Sequence, residues 1–93
     1  MRPIHPGEIL SEEFLKPLKM SARKFADAIG VPHNRVSAIL AGKRSVTADT
    51  ALRLHCALGS TPQFWLNLQQ SYDLRVAEKT AELSGIRRLK TDG

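Results

Sequence analysis

Apolar residues recur at helical spacing along most of the chain, and short polar or glycine-containing breaks divide them into five segments. The most informative stretch is SARKFADAIGVPHNRVSAILAGKRSVT, residues 21–47. Its first half sets Phe25, Ala26 and Ile29 on one face, with Ser21 placed to cap the start. Gly30 tolerates the left-handed conformation that closes many helices, and Val31 precedes a proline and is pushed out of the helical region. Pro32 suits the first turn of a second helix, which runs to about Ala41 and closes at Gly42. Two short helices joined by a glycine-containing turn make a helix-turn-helix.

At about 100° per residue, Val36, Ile39 and Leu40 share one arc of the second helix and form its buried face. Asn34, Ser37, Ala38 and Ala41 face the other way, with His33 and Arg35 on the flanks. An outward face of short amide, hydroxyl and methyl groups suits close approach to base edges. Asn pairs with adenine N6 and N7, Ser with several edges, and Ala with a thymine methyl. Directly afterwards, Lys43-Arg44-Ser45-Val46-Thr47 offers cations and hydroxyls where phosphates would pass. The pattern also fits an αα-hairpin in a helical protein that never meets DNA, with a merely solvated basic loop.

The flanking segments complete a helical domain. Residues 1–5 lack periodicity and are expected to form a flexible arm. Pro6 can start a helix with Glu8 in its first turn, burying Ile9, Leu10, Phe14 and Leu18, and Pro17 is expected to limit regular helix to about residue 16. Glu12 and Glu13 are adjacent and point about 100° apart, which gives no support to a carboxylate pair for acid–base chemistry. Thr47 can cap a fourth helix with Asp49 in its first turn. Ala51, Leu52, Leu54, His55 and Leu58 spread around more than half its circumference, which predicts a central helix ended by Gly59.

Thr61-Pro62 starts a fifth helix expected to reach Leu83. Phe64, Trp65, Leu68 and Tyr72 form one stripe, and Leu66, Leu74, Ala77 and Ala81, with Gln70 among them, form another on roughly the opposite side. A helix with two apolar sides at the edge of a domain needs a second partner, so Leu66, Gln70, Leu74 and Ala77 are expected homodimer contacts. The alternative is that Leu66 and Leu74 are single exposed apolar residues, which are common. Ser84-Gly85 breaks the pattern. The expected organisation is an arm at 1–5, a domain at 6–83 and a basic, disordered tail at 84–93.

Composition narrows the partners. Ninety-three residues make one domain with a modest core, which oligomerisation would help. The net charge of +5 favours a polyanion, nucleic acid most commonly. Ribosomal and membrane-surface proteins carry such charge in longer basic runs than Lys43-Arg44 and Arg87-Arg88. Cys56 stands alone, fits a reducing compartment and is expected to be a small buried hydrophobe. The start MRPIHPGEIL has no apolar signal region and no run approaches a membrane span, so a cytoplasmic protein without a membrane partner is expected. His5, His33, His55 and Cys56 lack ligand spacing, and His55 is expected to be a hydrogen-bonded core residue. No metal, cofactor or catalytic residue is expected, because no nucleophile–base set or phosphate-binding loop is present.

With these residues laid out, the chain resembles the HigA-type antitoxins, the VapI branch of the lambda-repressor-like Xre helix-turn-helix family. The resemblance rests on HPGEIL at 5–10, FADAIGV at 25–31, RVSAILAGKRSVTADTALRL at 35–54 and GSTPQFWLNLQQSYDL at 59–74. It implies an all-α, compact five-helix lambda-repressor-like domain that dimerises and represses its own operon by binding palindromic operator DNA. It also implies neutralisation of a HigB-type toxin, a RelE-like endoribonuclease acting on translated mRNA. By similarity, His33, Asn34, Arg35 and Ser37 match base-reading positions, joined by Ala38 on the same outward face. Lys43, Arg44 and Thr47 match the phosphate-binding segment, with Ser21 and Arg23 completing that set from the first helix of the pair. Ala22 departs from the family, where many members offer Gln to a phosphate, and Arg23 is the available substitute. The alternative is a stand-alone helix-turn-helix regulator with no toxin partner.

Overall fold

The computed structural model describes residues 2–90, which contain five helices and no strand. We number them α1 (residues 6–18), α2 (Ala22–Ile29), α3 (His33–Leu40), α4 (Ala48–Leu58) and α5 (Pro62–Thr80).

The irregularity of α1 follows from its apolar spacing. Regular turns at Pro6–Ile9 give way to wider π turns over Leu10–Leu15, where Lys16 N–H donates to the Ser11 carbonyl. Leu10 and Leu15 are both buried. Five residues apart, they would point about 140° from each other on an α-helix, and i→i+5 bonding brings them to one side. Pro17 therefore does not stop the helix near residue 16; the helix runs through it to Leu18. Leu18 itself is 56% exposed, its expected core place taken by Leu15. Lys19 then adopts a left-handed φ of 55°, with Lys19 N–H bonded to Lys16 O at 3.0 Å and Met20 N–H to Leu15 O at 2.9 Å. This is a Schellman closure with lysine where glycine is usual.

The helix-turn-helix forms as its local signals dictate. Ser21 Oγ accepts from Lys24 N–H at 3.1 Å, and Gly30, at φ 73°, closes α2 with Val31 N–H bonded to Ala26 O at 3.1 Å. Val31 is buried behind the turn, and extended Pro32 leads into α3.

Trp65 is the largest fully buried side chain, in a core that includes Phe25, Ala26, Val36, Ile39, Ala51 and Leu54. Its ring meets Phe14 at 5.4 Å and Phe64 at 5.1 Å, and its Nε1–H donates to Ser60 Oγ at 2.7 Å. The expectation of a central α4 is not met. Thr50, Ala51 and Leu54 are buried on one side, whereas Leu52, His55 and Cys56 are exposed, so α4 is a wall of the bundle. His55 keeps a hydrogen-bond partner, its Nδ1 lying 3.0 Å from Ser60 O, but on the surface.

At the N-terminus His5 belongs to the folded body: it is buried, and its Nδ1 caps α1 by accepting from Gly7 N–H at 2.9 Å. At the other end, every described residue from Asp73 onward is exposed. With no packing to sustain it, α5 ends at Thr80 rather than Leu83. The chain is elongated, 53 × 26 × 23 Å. No helix among the described residues is long and apolar enough to cross a membrane.

Candidate nucleic-acid interface

The first turns of α3 carry the expected base readers. His33 and Asn34 are exposed, and Ser37 and Ala38 are partly so. His33 Nε2 lies 3.2 Å from Ser37 Oγ, one turn apart, so these two side chains hold each other along the helix. Among the described residues the Asn34 amide has no hydrogen-bond partner in the protein, leaving both its donor and acceptor for an outside group. Val36 and Ile39 are buried beneath this face, as the helical wheel requires, with Leu40 half-buried beside them.

Past α3, Gly42 (φ 74°) reverses the chain, with Lys43 N–H bonded to Ala38 O at 2.9 Å. Lys43, Arg44 and Ser45 stand exposed, and Val46 turns inward. Thr47 caps α4 by accepting from Thr50 N–H, as Ser21 caps α2. Arg23 is exposed on α2. Among the described residues, none of Arg23, Lys43 and Arg44 pairs with a carboxylate. Their charge is uncommitted, which suits counterion release on a polyanion.

Arg35 differs from the other candidates. Its Nη1 lies 3.5 Å from Asp49 Oδ2, the oxygen that also accepts from Arg53 Nε at 2.9 Å. Its Nε is buried without a partner among the described residues. Arg53 in turn donates from Nη1 to the Ile29 carbonyl at 2.8 Å, satisfying the C-terminus of α2. The Arg35–Asp49–Arg53 set thus ties α2, α3 and α4 together at the turn. Each pair is partly exposed and contributes only about 0–1 kcal/mol.

The expected dimer residues are distributed unevenly. Leu66 is half-buried against the core, whereas Gln70, Leu74 and Ala77 are exposed, Leu74 by 61%. Among the described residues no group of three or more His, Cys, Asp or Glu is placed to hold a metal ion.

Residues 12–65 match the family model described as helix-turn-helix. Virulence-associated protein I of Dichelobacter nodosus is 51% identical over 79 residues, covering 85% of this chain and 73% of that protein. An addiction module antidote protein of the HigA family from Coxiella burnetii is 52% identical and superposes with a TM-score of 0.89, over 96% of this chain and all (100%) of that one. The chain belongs to the HigA family of helix-turn-helix proteins. Antitoxin GraA in complex with its operator has the same HigA-like fold, with a TM-score of 0.89 at 49% identity, over 98% of this chain and 95% of that one.

Two residues of this HigA-family domain escaped the sequence-based expectation. Gln69 is buried, accepts from Val46 N–H at 2.8 Å and donates to Asp73 at 2.9 Å. It follows Trp65 by one turn, so helical spacing from the buried tryptophan would have singled it out in place of Gln70. His5, whose ring stands edge-on to Tyr72 at 4.8 Å, had a weaker signal: a polar side chain directly before a proline that opens a helix.

Proposed function

We propose that this chain is an antitoxin and the repressor of its own operon, a cytoplasmic homodimer that binds palindromic operator DNA and neutralises a HigB-type, RelE-like RNA-cleaving toxin. Each α3 enters a major groove, the two half-sites lying about one helical turn, roughly 34 Å, apart. Ser21, Arg23, Lys43, Arg44 and Thr47 position the helix on phosphates, and His33, Asn34, Ser37 and Ala38 read base edges. Arg35 steadies α3 against α4 through Asp49, and would have to leave that carboxylate to reach a base. The two chains meet along Leu66, Gln70, Leu74 and Ala77 of α5, and residues 84–90 form a basic stretch outside the domain; the remainder of the expected tail, 91–93, lies outside the described residues. The chain binds its partners and is assigned no reaction or cofactor.

The observation that carries this proposal is the pairing of an unengaged, exposed Asn34 with the uncommitted cations Lys43 and Arg44, in a fold shared with an antitoxin bound to its operator. The test has two arms. In the first, purified protein is titrated against its own upstream DNA and a scrambled duplex of equal length at several salt concentrations. Tight, salt-sensitive preference for the upstream DNA with two chains per site is expected, and weak, equal binding to both overturns the repressor assignment. In the second, coexpression with the product of an adjacent toxin-like reading frame should give a stable complex in which RNA cleavage stops. Specific DNA binding without such a complex would leave a stand-alone regulator.

A further inference from the structure

Lys43, Arg44 and Ser45 are exposed, yet the chain on both sides of them is fixed from beneath. On one side Gly42 lies over the imidazole of His5: a Cβ added to Gly42 would stand 3.8 Å from His5 Cγ. The backbone of Arg44 faces the same ring. On the other side Val46 is buried, and its N–H donates to Gln69 Oε1 at 2.8 Å. The Gln69 amide is oriented by its second bond, from Nε2 to Asp73 Oδ1 at 2.9 Å. His5 is likewise held twice, by the Gly7 N–H on Nδ1 and by the Tyr72 ring against its edge. Both supports therefore rest on neighbouring turns of α5, which carries Gln69, Tyr72 and Asp73.

We infer that His5 and Gln69 are positioning residues for the phosphate-binding segment Lys43–Ser45, setting its path from below without touching DNA. The inference rests on the DNA-binding function proposed above. Its chemistry differs at the two ends. Among the described residues Gln69 supplies the one acceptor of the buried Val46 N–H, and without it the segment must open to let water in. His5 supports its end only in the neutral form, because Nδ1 must be unprotonated to accept from Gly7 N–H. A proton on that atom removes the cap of α1 and disturbs the surface on which Gly42 rests. The charged and titratable groups around this ring are Arg2 and Glu8 at the N-terminal side, Tyr72 and Asp73 on α5, and the Arg44 residue whose backbone faces it.

The test titrates wild-type protein, Gln69→Met and His5→Asn against upstream and scrambled DNA at several salt concentrations, at pH about 7.5 and about 5.5. Circular dichroism of each sample restricts the comparison to folded protein. Asn keeps a capping acceptor but does not titrate, and His33 and His55 are common to all three proteins. Gln69→Met should weaken both duplexes by a similar factor, on the order of three- to tenfold, the scale of one neutral hydrogen bond, and flatten the salt dependence. Lowering the pH should weaken wild type more than His5→Asn. Folded Gln69→Met with wild-type affinity and salt slope overturns the inference, as does a constant ratio of wild type to His5→Asn across pH. If Gln69→Met does not fold, the pH comparison decides. Wild type without preference for its upstream DNA overturns the DNA-binding function itself, and this inference with it.

Discussion

Gly7 presses its backbone against the carbonyl of Ile39, so closely that a Cβ at position 7 would stand 1.9 Å from the Ile39 oxygen. The start of α1 thereby sits directly on the last turns of α3. Only glycine allows this approach. Gly7→Ala should therefore lower stability by about 3 kcal/mol, the upper end of the overpacking range, because the obstacle is backbone rather than a movable side-chain tip. The midpoint of urea unfolding measures it, and an unchanged midpoint would show that the contact yields easily.

Lys19 closes α1 at φ 55° without the freedom of glycine. The left-handed conformation costs an L-residue roughly 1–2 kcal/mol, and glycine's greater unfolded-state entropy offsets roughly 0.5–1 of that gain. Lys19→Gly is expected to raise stability by about 0.5–1 kcal/mol, seen as a higher thermal midpoint. A lower midpoint would mean that the lysine side chain contributes a contact worth more than the strain.

Burial holds His5 below the ordinary imidazole value of about 6.5, outweighing the Arg44 backbone and Asp73, which both favour the charged form. The folded state thus prefers neutral His5, and the unfolded chain takes up the proton more readily. The stability this contributes is fully present above pH about 6.5 and is lost as the pH falls through that value toward the lower folded one. Urea midpoints measured over this range should fall in wild type and fall less in His5→Asn. Parallel curves would remove His5 as their source.

Leu74 is exposed and surrounded by exposed residues on the distal half of α5. If the proposed dimer forms through this face, Leu74→Glu should leave the monomer folded and shift the protein from dimer to monomer in sedimentation equilibrium, weakening operator binding in proportion. A Leu74→Glu protein that still sediments as a dimer would move the contact elsewhere.

The central hairpin was legible because its signals are local: the apolar period of α2 and α3, the serine cap, and glycine and proline at the turn. What could not be read is non-local. Gln69 and Val46 are 23 positions apart, and His5 meets Tyr72 across most of the chain. The π turns of α1 answer to the placement of Leu10 and Leu15 against the core, which a fixed period of 3.6 misassigns. In α4 the apolar content was real, but content alone does not say which side packs, and Leu52 and Cys56 face out. Arg35 illustrates the same limit within the site: its position on the helix is readable, whereas its engagement by Asp49, brought close by the fold, is not.

The division of labour between α3 and the segment after it is tested most directly by comparing Asn34→Ala and Lys43→Ala on operator and scrambled duplexes. Asn34→Ala should weaken operator binding by about 1–3 kcal/mol and leave scrambled DNA nearly unchanged. Lys43→Ala should weaken both and lower the salt slope by about one. Equal loss on both duplexes for Asn34→Ala would contradict the assignment of α3 as the reading helix.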